Sequence, residues 1–264
     1  MDVEDRLKRL ERQLLLVERF SSRAFWQALD QAYESILPHT ELRCIICDHR
    51  DRRSGYKVLT AQCQFGGGTL ERYQCPQCDA VFGPQKYLDL AEEIVDLDYQ
   101  ILYSRYQESD STHNEIRTFR SLDPKPGQLF LNWGCGTWCQ TIPTLRAEGF
   151  DVWGYEPSLE ESGQCIVRSK GEISAKFDAI FSNNVIEHFR DPVAQFREFR
   201  GFLKPGGKLA HSSPCYDYAY DFTRFHTIFL LGRSPHVLAE RTGFRAEKVA
   251  EDGEYINVVY TAVD

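Results

Sequence analysis

Apolar positions near the start of the chain recur at helical spacing. Val3, Leu7, Leu10, Leu14 and Val17 follow one another in steps of four and three, and neither Gly nor Pro interrupts the chain before Pro38. The pattern predicts a helix over residues 2–37 carrying the seam of a short coiled coil. Two partners fit such a seam: a second copy of the chain, making a homo-oligomer through residues 2–20, or the helix's own domain. From residue 41 to 83 the texture changes to short extended runs around glycines, and "GYKVLTAQCQFGGGTLERYQ" reads as strand, turn, strand. Residues 86–122 return to helical character, and "DPKPGQ" at 123–128 punctuates the chain.

Beyond that mark, short apolar runs alternate with amphipathic stretches, the signature of a parallel α/β sheet. "QLFLNW", "DVWGYEP", "FDAIFSNN", "KLAHSSP" and "YINVVYTAV" read as strands. "TIPTLRAEGF", "DPVAQFREFRGFL" and "SPHVLAERTGF" read as helices. The divisions are residues 1–38, an N-terminal helix; 39–88, a small ribbon; 89–126, a helical connector; and 127–264, the α/β domain.

The ribbon carries specific chemistry. "LRCIICDHR" and "RYQCPQCDAVFG" are two CxxC knuckles, and Cys44, Cys47, Cys75 and Cys78 together predict a tetrahedral four-thiolate zinc site. Such a site closes its coordination sphere, so the metal's expected role is structural, allowing a segment with little core of its own to fold. Cys63, His39 and His49 lie nearby and are read as packing residues.

Composition narrows the setting. The chain has 264 residues, 42% hydrophobic and 27% charged, with a net charge of -8. That balance argues against nucleic acid as partner, whose binding footprint is a basic face. There is no apolar run long enough for a membrane span, and "MDVEDRLKRLERQ" is not a signal peptide. The expected compartment is cytoplasmic, where thiols stay reduced, so metal binding or burial rather than disulfides must account for nine cysteines.

The stretch "LNWGCGTWCQ" places Gly134 and Gly136 directly after a strand. A glycine turn there lets backbone N–H groups approach a ligand closely. Glu156 ends the next strand, where a carboxylate can accept both ribose hydroxyls of an adenosine. Turn plus acid is a nucleoside-binding pair. A dinucleotide is the first rival, but the third glycine of GxGxxG is missing, since position 139 is Cys.

The span 177–209, "FDAIFSNNVIEHFRDPVAQFREFRGFLKPGGKL", resembles the fourth strand, following helix and "LKPGG" turn of class I S-adenosylmethionine-dependent methyltransferases. "LNWGCG" is similar to the first motif of that family and "GYEPS" to its second. The resemblance covers about residues 127–264 and implies a Rossmann-like seven-stranded methyltransferase sheet. It also implies that the turn Asn132, Trp133, Gly134, Cys135 and Gly136 cradles the methionine portion of S-adenosylmethionine. Glu156 would hold the ribose, and Asn183 would lie beside the methyl donor.

Departures from the family are specific. Asn132 stands where the family often has Asp, and supplies a hydrogen-bond acceptor without charge. Trp138 replaces a frequent glycine and fits if it points away or packs on the cofactor. Only a shortened segment joins Glu156 to Phe177, which must abbreviate a helix and the third strand.

Several residues invite catalytic readings. Asn184, Glu187 and His188 have the spacing of one helix face, and relatives in quinone biosynthesis use a similar acid-plus-His group for a divalent cation. With Asn at the first carboxylate position, Glu187 and His188 read rather as ties between helix and sheet. His188 is a candidate general base for a hydroxyl acceptor. His226 falls where relatives often have a histidine facing the pocket. His211 and Tyr216 rank below these as residues lining the acceptor site.

"SNNVIEH" lacks the Asn-Pro-Pro-aromatic turn common in amide and nucleobase-amine methylases of this fold. The expected acceptor is therefore a hydroxyl on a sugar, glycan or other small metabolite. The alternatives are an RNA methyltransferase that binds through the ribbon, or an inactive cofactor-binding scaffold.

Overall fold

The computed structural model describes residues 3–104, 106, 109–136, 138, 140–159 and 162–263. Helix α1 (Val3–Ile36) leads the chain, and Trp26 is its one buried side chain among those residues. Along the heptad stripe Leu7, Leu10, Leu14 and Val17 lie 54–68% exposed, so packing of this seam on its own domain does not occur. The helix docks through its last third instead. Trp26 stacks on Tyr87, and Asp30 accepts from buried Lys86.

The ribbon follows as β1 (Glu41–Arg43), β2 (Arg50–Arg52), β3 (Lys57–Gln62), β4 (Thr69–Gln74) and β5 (Val81–Phe82). Its two knuckles are built alike. Asp48 N–H donates to Cys44 O and Asp79 N–H to Cys75 O, and both Asp residues take positive φ, 64° and 70°. These turns bring four thiols together, with Sγ–Sγ separations of 3.6 Å for Cys44–Cys78 and 3.5 Å for Cys47–Cys75. A disulfide needs about 2.05 Å, whereas the edge of a tetrahedral zinc–thiolate site, with Zn–S near 2.3 Å, is about 3.8 Å. The separations fit the second arrangement.

Helices α2 (Gln85–Leu88), α3 (Glu92–Tyr103) and α4 (Thr112–Arg120) form the connector. Next come β6 (Leu129–Trp133), α5 (Thr141–Ala147), β7 (Asp151–Tyr155), β8 (Ile166–Val167), β9 (Phe177–Asn183), α6 (Pro192–Phe202) and β10 (Leu203–Ser212). The chain then runs through β11 (Ile228–Phe229), α7 (Ser234–Thr242), β12 (Phe244–Asp252) and β13 (Tyr255–Ala262). Seven of these strands form one sheet in the order β12-β13-β10-β9-β6-β7-β8. From β10 through β8 the pairings are parallel, while β13 runs antiparallel between β10 and β12.

Two strands of this sheet were not located from the sequence, β8, expected only as an abbreviated third strand, and β12. β8 is only two residues long, and β12 is an edge strand whose burial alternates only at its start. The "LKPGG" stretch, expected as a turn, continues into β10 through a register shift between Leu203 and Lys208. Leu131, Ile180, Phe181, Leu209 and Ala210 fill the sheet's centre, and Phe119 of α4 packs edge-on against Phe130.

The ribbon and the α/β domain are not separable bodies. β5 pairs with β11, placing a strand from the C-terminal half in the ribbon's own sheet, in the order β11-β5-β4-β3. Fully buried Arg72, on β4, donates to the carbonyls of Asp221, Thr223 and His226 at 2.6, 2.5 and 3.0 Å. No ion pair to Arg72 occurs among the described residues, and its charge is met by these backbone dipoles. The boundaries read from sequence therefore mark changes in texture rather than independent folding units.

Candidate active site

The glycine loop forms where β6 ends. Gly134 and Gly136 take φ of 69° and 64°, the left-handed region that costs other residues strain. At Gly134 a Cβ would lie 2.8 Å from Val185 Cγ2, so the position also needs the missing side chain. Gly134 N–H donates to Tyr155 O at 2.8 Å, and Gly136 N–H donates to Glu156 Oε2 at 2.9 Å. Glu156 Oε1 accepts from Ser158 N–H at 3.0 Å and from its hydroxyl at 2.6 Å. Turn and acid are thus in direct contact, as their spacing predicts. Trp133 departs from expectation: its ring is 4% exposed and packs against Tyr155 and Phe199, so its side chain belongs to the core.

Around this loop, buried polar atoms stand without hydrogen-bond partners among the described residues. They are Asn132 Oδ1, Trp138 Nε1, Thr141 Oγ1 and Asn183 Nδ2. A buried donor or acceptor left unmade costs about 1–3 kcal/mol, and such atoms gathered at the carboxyl ends of parallel strands mark a ligand site. Asn132 is the last but one residue of β6, and Asn183 ends the neighbouring strand β9. The other end of each amide is fixed: Asn132 Nδ2 donates to Glu115 Oε2 at 2.6 Å, and Asn183 Oδ1 accepts from Ser212 Oγ at 2.8 Å. A cleft of about 340 Å³ opens along Cys135, Gly136, Thr141, Ile142 and Cys165, bordering the glycine loop without reaching Asn132, Asn183 or Glu156. The abbreviated segment is also seen, with no α-helix between β7 and β8 among the described residues. Glu115, 2% exposed on α4, was missed by sequence reasoning because it lies between the CxxC knuckles and the first methyltransferase-like motif.

The histidines divide into two groups. His188 and His226 face each other with ring centroids 5.1 Å apart. His226 Nδ1 lies 3.1 Å from Tyr220 O and 3.5 Å from Cys215 Sγ; a proton on Nδ1 serves the carbonyl, which can only accept, and leaves Nε2 its lone pair. Burial, reinforced by the charges of His188 and Arg72, holds the His226 pKa well below its ordinary value of 6.5. His188 Nδ1 lies 2.9 Å from Tyr99 Oη and 3.2 Å from Phe225 O.

His211 and Tyr216 are structural. His211 is fully buried between Phe196 and Phe199, with Nδ1 on the Ser182 hydroxyl. Tyr216 pairs its hydroxyl with Tyr260 Oη at 2.9 Å inside the core. Neither lines an acceptor site.

The shared helix face expected for Asn184, Glu187 and His188 does not form. Asn184 is exposed with φ of 54°, and only Ile186–His188 turn, as a 3-10 helix. The divalent cation that Asn184 already disfavoured does not gain Glu187 and His188 as a pair of ligands either. The potential ligand atoms lying within 4.8 Å of one another belong to Glu187, Cys215 and His226. Burial, then the Glu187 charge, raises the Cys215 thiol well above its ordinary range.

A seven-stranded sheet whose last strand inserts antiparallel beside the fifth, with a glycine loop and an acid ending the first two strands, defines a Rossmann-like methyltransferase. The chain belongs to the methyltransferase domain family, whose profile matches residues 108–253. Phosphoethanolamine N-methyltransferase of Triticum aestivum is 33% identical over 112 residues, 36% of this chain and 22% of that protein. The match thus spans about a fifth of that relative's length. Among solved structures, Burkholderia thailandensis 1,6-didemethyltoxoflavin-N1-methyltransferase is similar with a TM-score of 0.46 and 14% identity, over 79% of this chain and 100% of that one. A SAM-dependent methyltransferase from Aquifex aeolicus has a TM-score of 0.45 and 17% identity, over 58% and 93%. No helix among the described residues is long and apolar enough to cross a membrane.

Proposed function

We propose that this methyltransferase acts on a hydroxyl of a small polar acceptor such as a sugar, glycan or related metabolite. His226 serves as general base. The observation that carries this reading is the His226 imidazole, whose Nδ1 lies 3.1 Å from the Tyr220 carbonyl, so that Nε2 is the nitrogen able to accept a proton. S-adenosylmethionine supplies an electrophilic methyl on a sulfonium. The chain's residues then have to align acceptor and cofactor and remove the acceptor's proton as the new bond forms. The loop Asn132 to Gly136 and Asn183 hold the methionine end, and Glu156 holds the ribose, by rotating away from Ser158 or through a remaining lone pair. His188 is the second candidate base, oriented by Tyr99.

Cys44, Cys47, Cys75 and Cys78 hold one structural zinc in this reading, and the supporting fact is the thiol spacing. The metal stiffens the ribbon whose Arg72 fixes the His226 segment. A second acceptor class, a small amine, is favoured by the likeness to phosphoethanolamine N-methyltransferase; the same base would keep an amine unprotonated. Screening purified protein with labelled methyl donor against nucleotide sugars, glycans, phenols, phosphoethanolamine and RNA tests the proposal. Label on a hydroxyl acceptor supports it, label on an amine or on RNA replaces it, and cofactor binding without any transfer supports a scaffold.

A further inference from the structure

Glu115 presents a problem of charge. Its carboxylate is buried, accepts from Asn132 Nδ2 and Ser111 Oγ, and has no Lys or Arg ion pair among the described residues. A buried anion without a cation is costly, and hydrogen bonds from two neutral groups offset only part of that. The Asn132 side chain is itself fully buried, and Oδ1 has no donor. A carboxylate and a bare amide oxygen thus adjoin one another at the end of β6, both of them acceptors. What completes them is a compact cation with several N–H donors.

We propose that Glu115 supplies the carboxylate that binds the α-ammonium of the cofactor's methionine portion, with Asn132 Oδ1 as the companion acceptor. The inference rests on the cofactor reading above. Asn132 holds Glu115 through Nδ2 and presents Oδ1, so the negative charge absent from β6 is provided from α4. Because an amide replaces the carboxylate on the strand, the two groups can sit 2.6 Å apart without like-charge repulsion.

The test is calorimetric binding of S-adenosylhomocysteine, which carries the ammonium, and of 5′-methylthioadenosine, which lacks the amino-acid portion. Glu115→Gln should weaken S-adenosylhomocysteine about tenfold to a hundredfold, as expected for a charged hydrogen bond, and leave methylthioadenosine unchanged. Adding Asn132→Asp to that variant returns a carboxylate to β6 and should restore most of the loss. Should Glu115→Gln not fold, Glu115→Asp, which keeps the charge but draws it back by one methylene, should show the same contrast, weaker S-adenosylhomocysteine and unchanged methylthioadenosine. Equal loss for both ligands, or no loss for either, overturns the role of Glu115. If wild-type protein binds neither ligand, the cofactor reading fails first, a separate outcome.

A separate observation concerns α1. Leu7 and Leu14 at a positions and Leu10 and Val17 at d positions stay exposed, as does Phe20 at 74%. The flanking e positions are all acidic, Glu4, Glu11 and Glu18, while the g positions are Arg6, Gln13 and Phe20. Antiparallel pairing would set e against e, Glu against Glu. Parallel pairing sets g against the next e, Arg6 of one copy opposite Glu11 of the other. We infer that the chain self-associates through a parallel, in-register coiled coil over residues 3–20. Light scattering on the full chain should show a dimer or larger assembly that Leu10→Asp/Leu14→Asp converts to monomer. A monomeric wild type, or an assembly that survives the double substitution, overturns the interface. Glu11→Arg should weaken association and Arg6→Glu/Glu11→Arg restore it; strengthening by Glu11→Arg alone would overturn the parallel orientation.

Discussion

The guanidinium of Arg72, on the cysteine ribbon, donates at 3.0 Å to the backbone carbonyl of His226, 154 residues further along the chain. A buried charge satisfied by carbonyls of three residues is a firm tie, because removing it orphans every one of them. Arg72→Met should therefore destabilise the protein by about 3–5 kcal/mol. At roughly 2–4 °C per kcal/mol for a chain of this size, that is a fall in Tm on the order of 10 °C by calorimetry. Arg72→Lys, which keeps the charge but loses the fork of donors, should fall between the two.

Metal analysis of protein purified without added zinc should give about one zinc per chain, as a single four-thiolate site requires. Seen from sequence alone, Cys44→Ser would unfold the ribbon and spare residues 127–264. The shared β5–β11 pairing changes that expectation. Chelation or Cys44→Ser should lower the melting temperature of the whole protein in one transition. Two well-separated transitions, the upper unmoved, would show the ribbon to be independent.

Glu156→Ala removes the acceptor for Gly136 N–H and for Ser158 as well as the proposed ribose contact. Affinity for S-adenosylhomocysteine should fall at least about tenfold, equivalent to about 1.4 kcal/mol. Unchanged calorimetric affinity would remove Glu156 from the cofactor site.

His226→Ala should lower turnover by about 10²–10⁴ with cofactor affinity nearly intact, the range for loss of a general base. His188→Ala should cost less if His188 only supports the neighbouring ring. Near-normal turnover in both folded variants would leave catalysis to alignment of the reactants. Activity that EDTA abolishes and zinc restores, with the ribbon metal retained, would instead place a cation on Glu187, Cys215 and His226.

Stability should also report the buried histidines. Burial pushes His211 from 6.5 down to about 3, and His226 is lowered in the same direction. The folded state holds both neutral, while the unfolded chain binds protons below about pH 6.5. The contribution of His211 is therefore whole above that pH and declines as pH falls from 6.5 towards 3, by about 1.4 kcal/mol per pH unit, and His226 adds to the decline in the same direction. Denaturant titrations across this range should show the decline, and His211→Gln should reduce its slope by that amount.

The long helix, the paired CxxC knuckles, the glycine loop and its distant acid were all legible along the chain, because each depends on local spacing. A 3.6-residue period, a two-residue knuckle or a glycine at positive φ is fixed by neighbours in sequence, and Glu156 met Gly136 as its spacing predicts. What the chain could not reveal were relations set by packing between distant segments. Glu115 reached the end of β6 only because α4 lies over the sheet. Arg72 became a support for His226 only because β5 paired with β11. His211 and Tyr216 looked like pocket residues from their place after a strand, and became core because their side chains turned towards Phe196 and Tyr260. Periodicity selects the elements and their buried faces; which polar side chains meet, and which are left facing a ligand, is decided only when those faces close on one another.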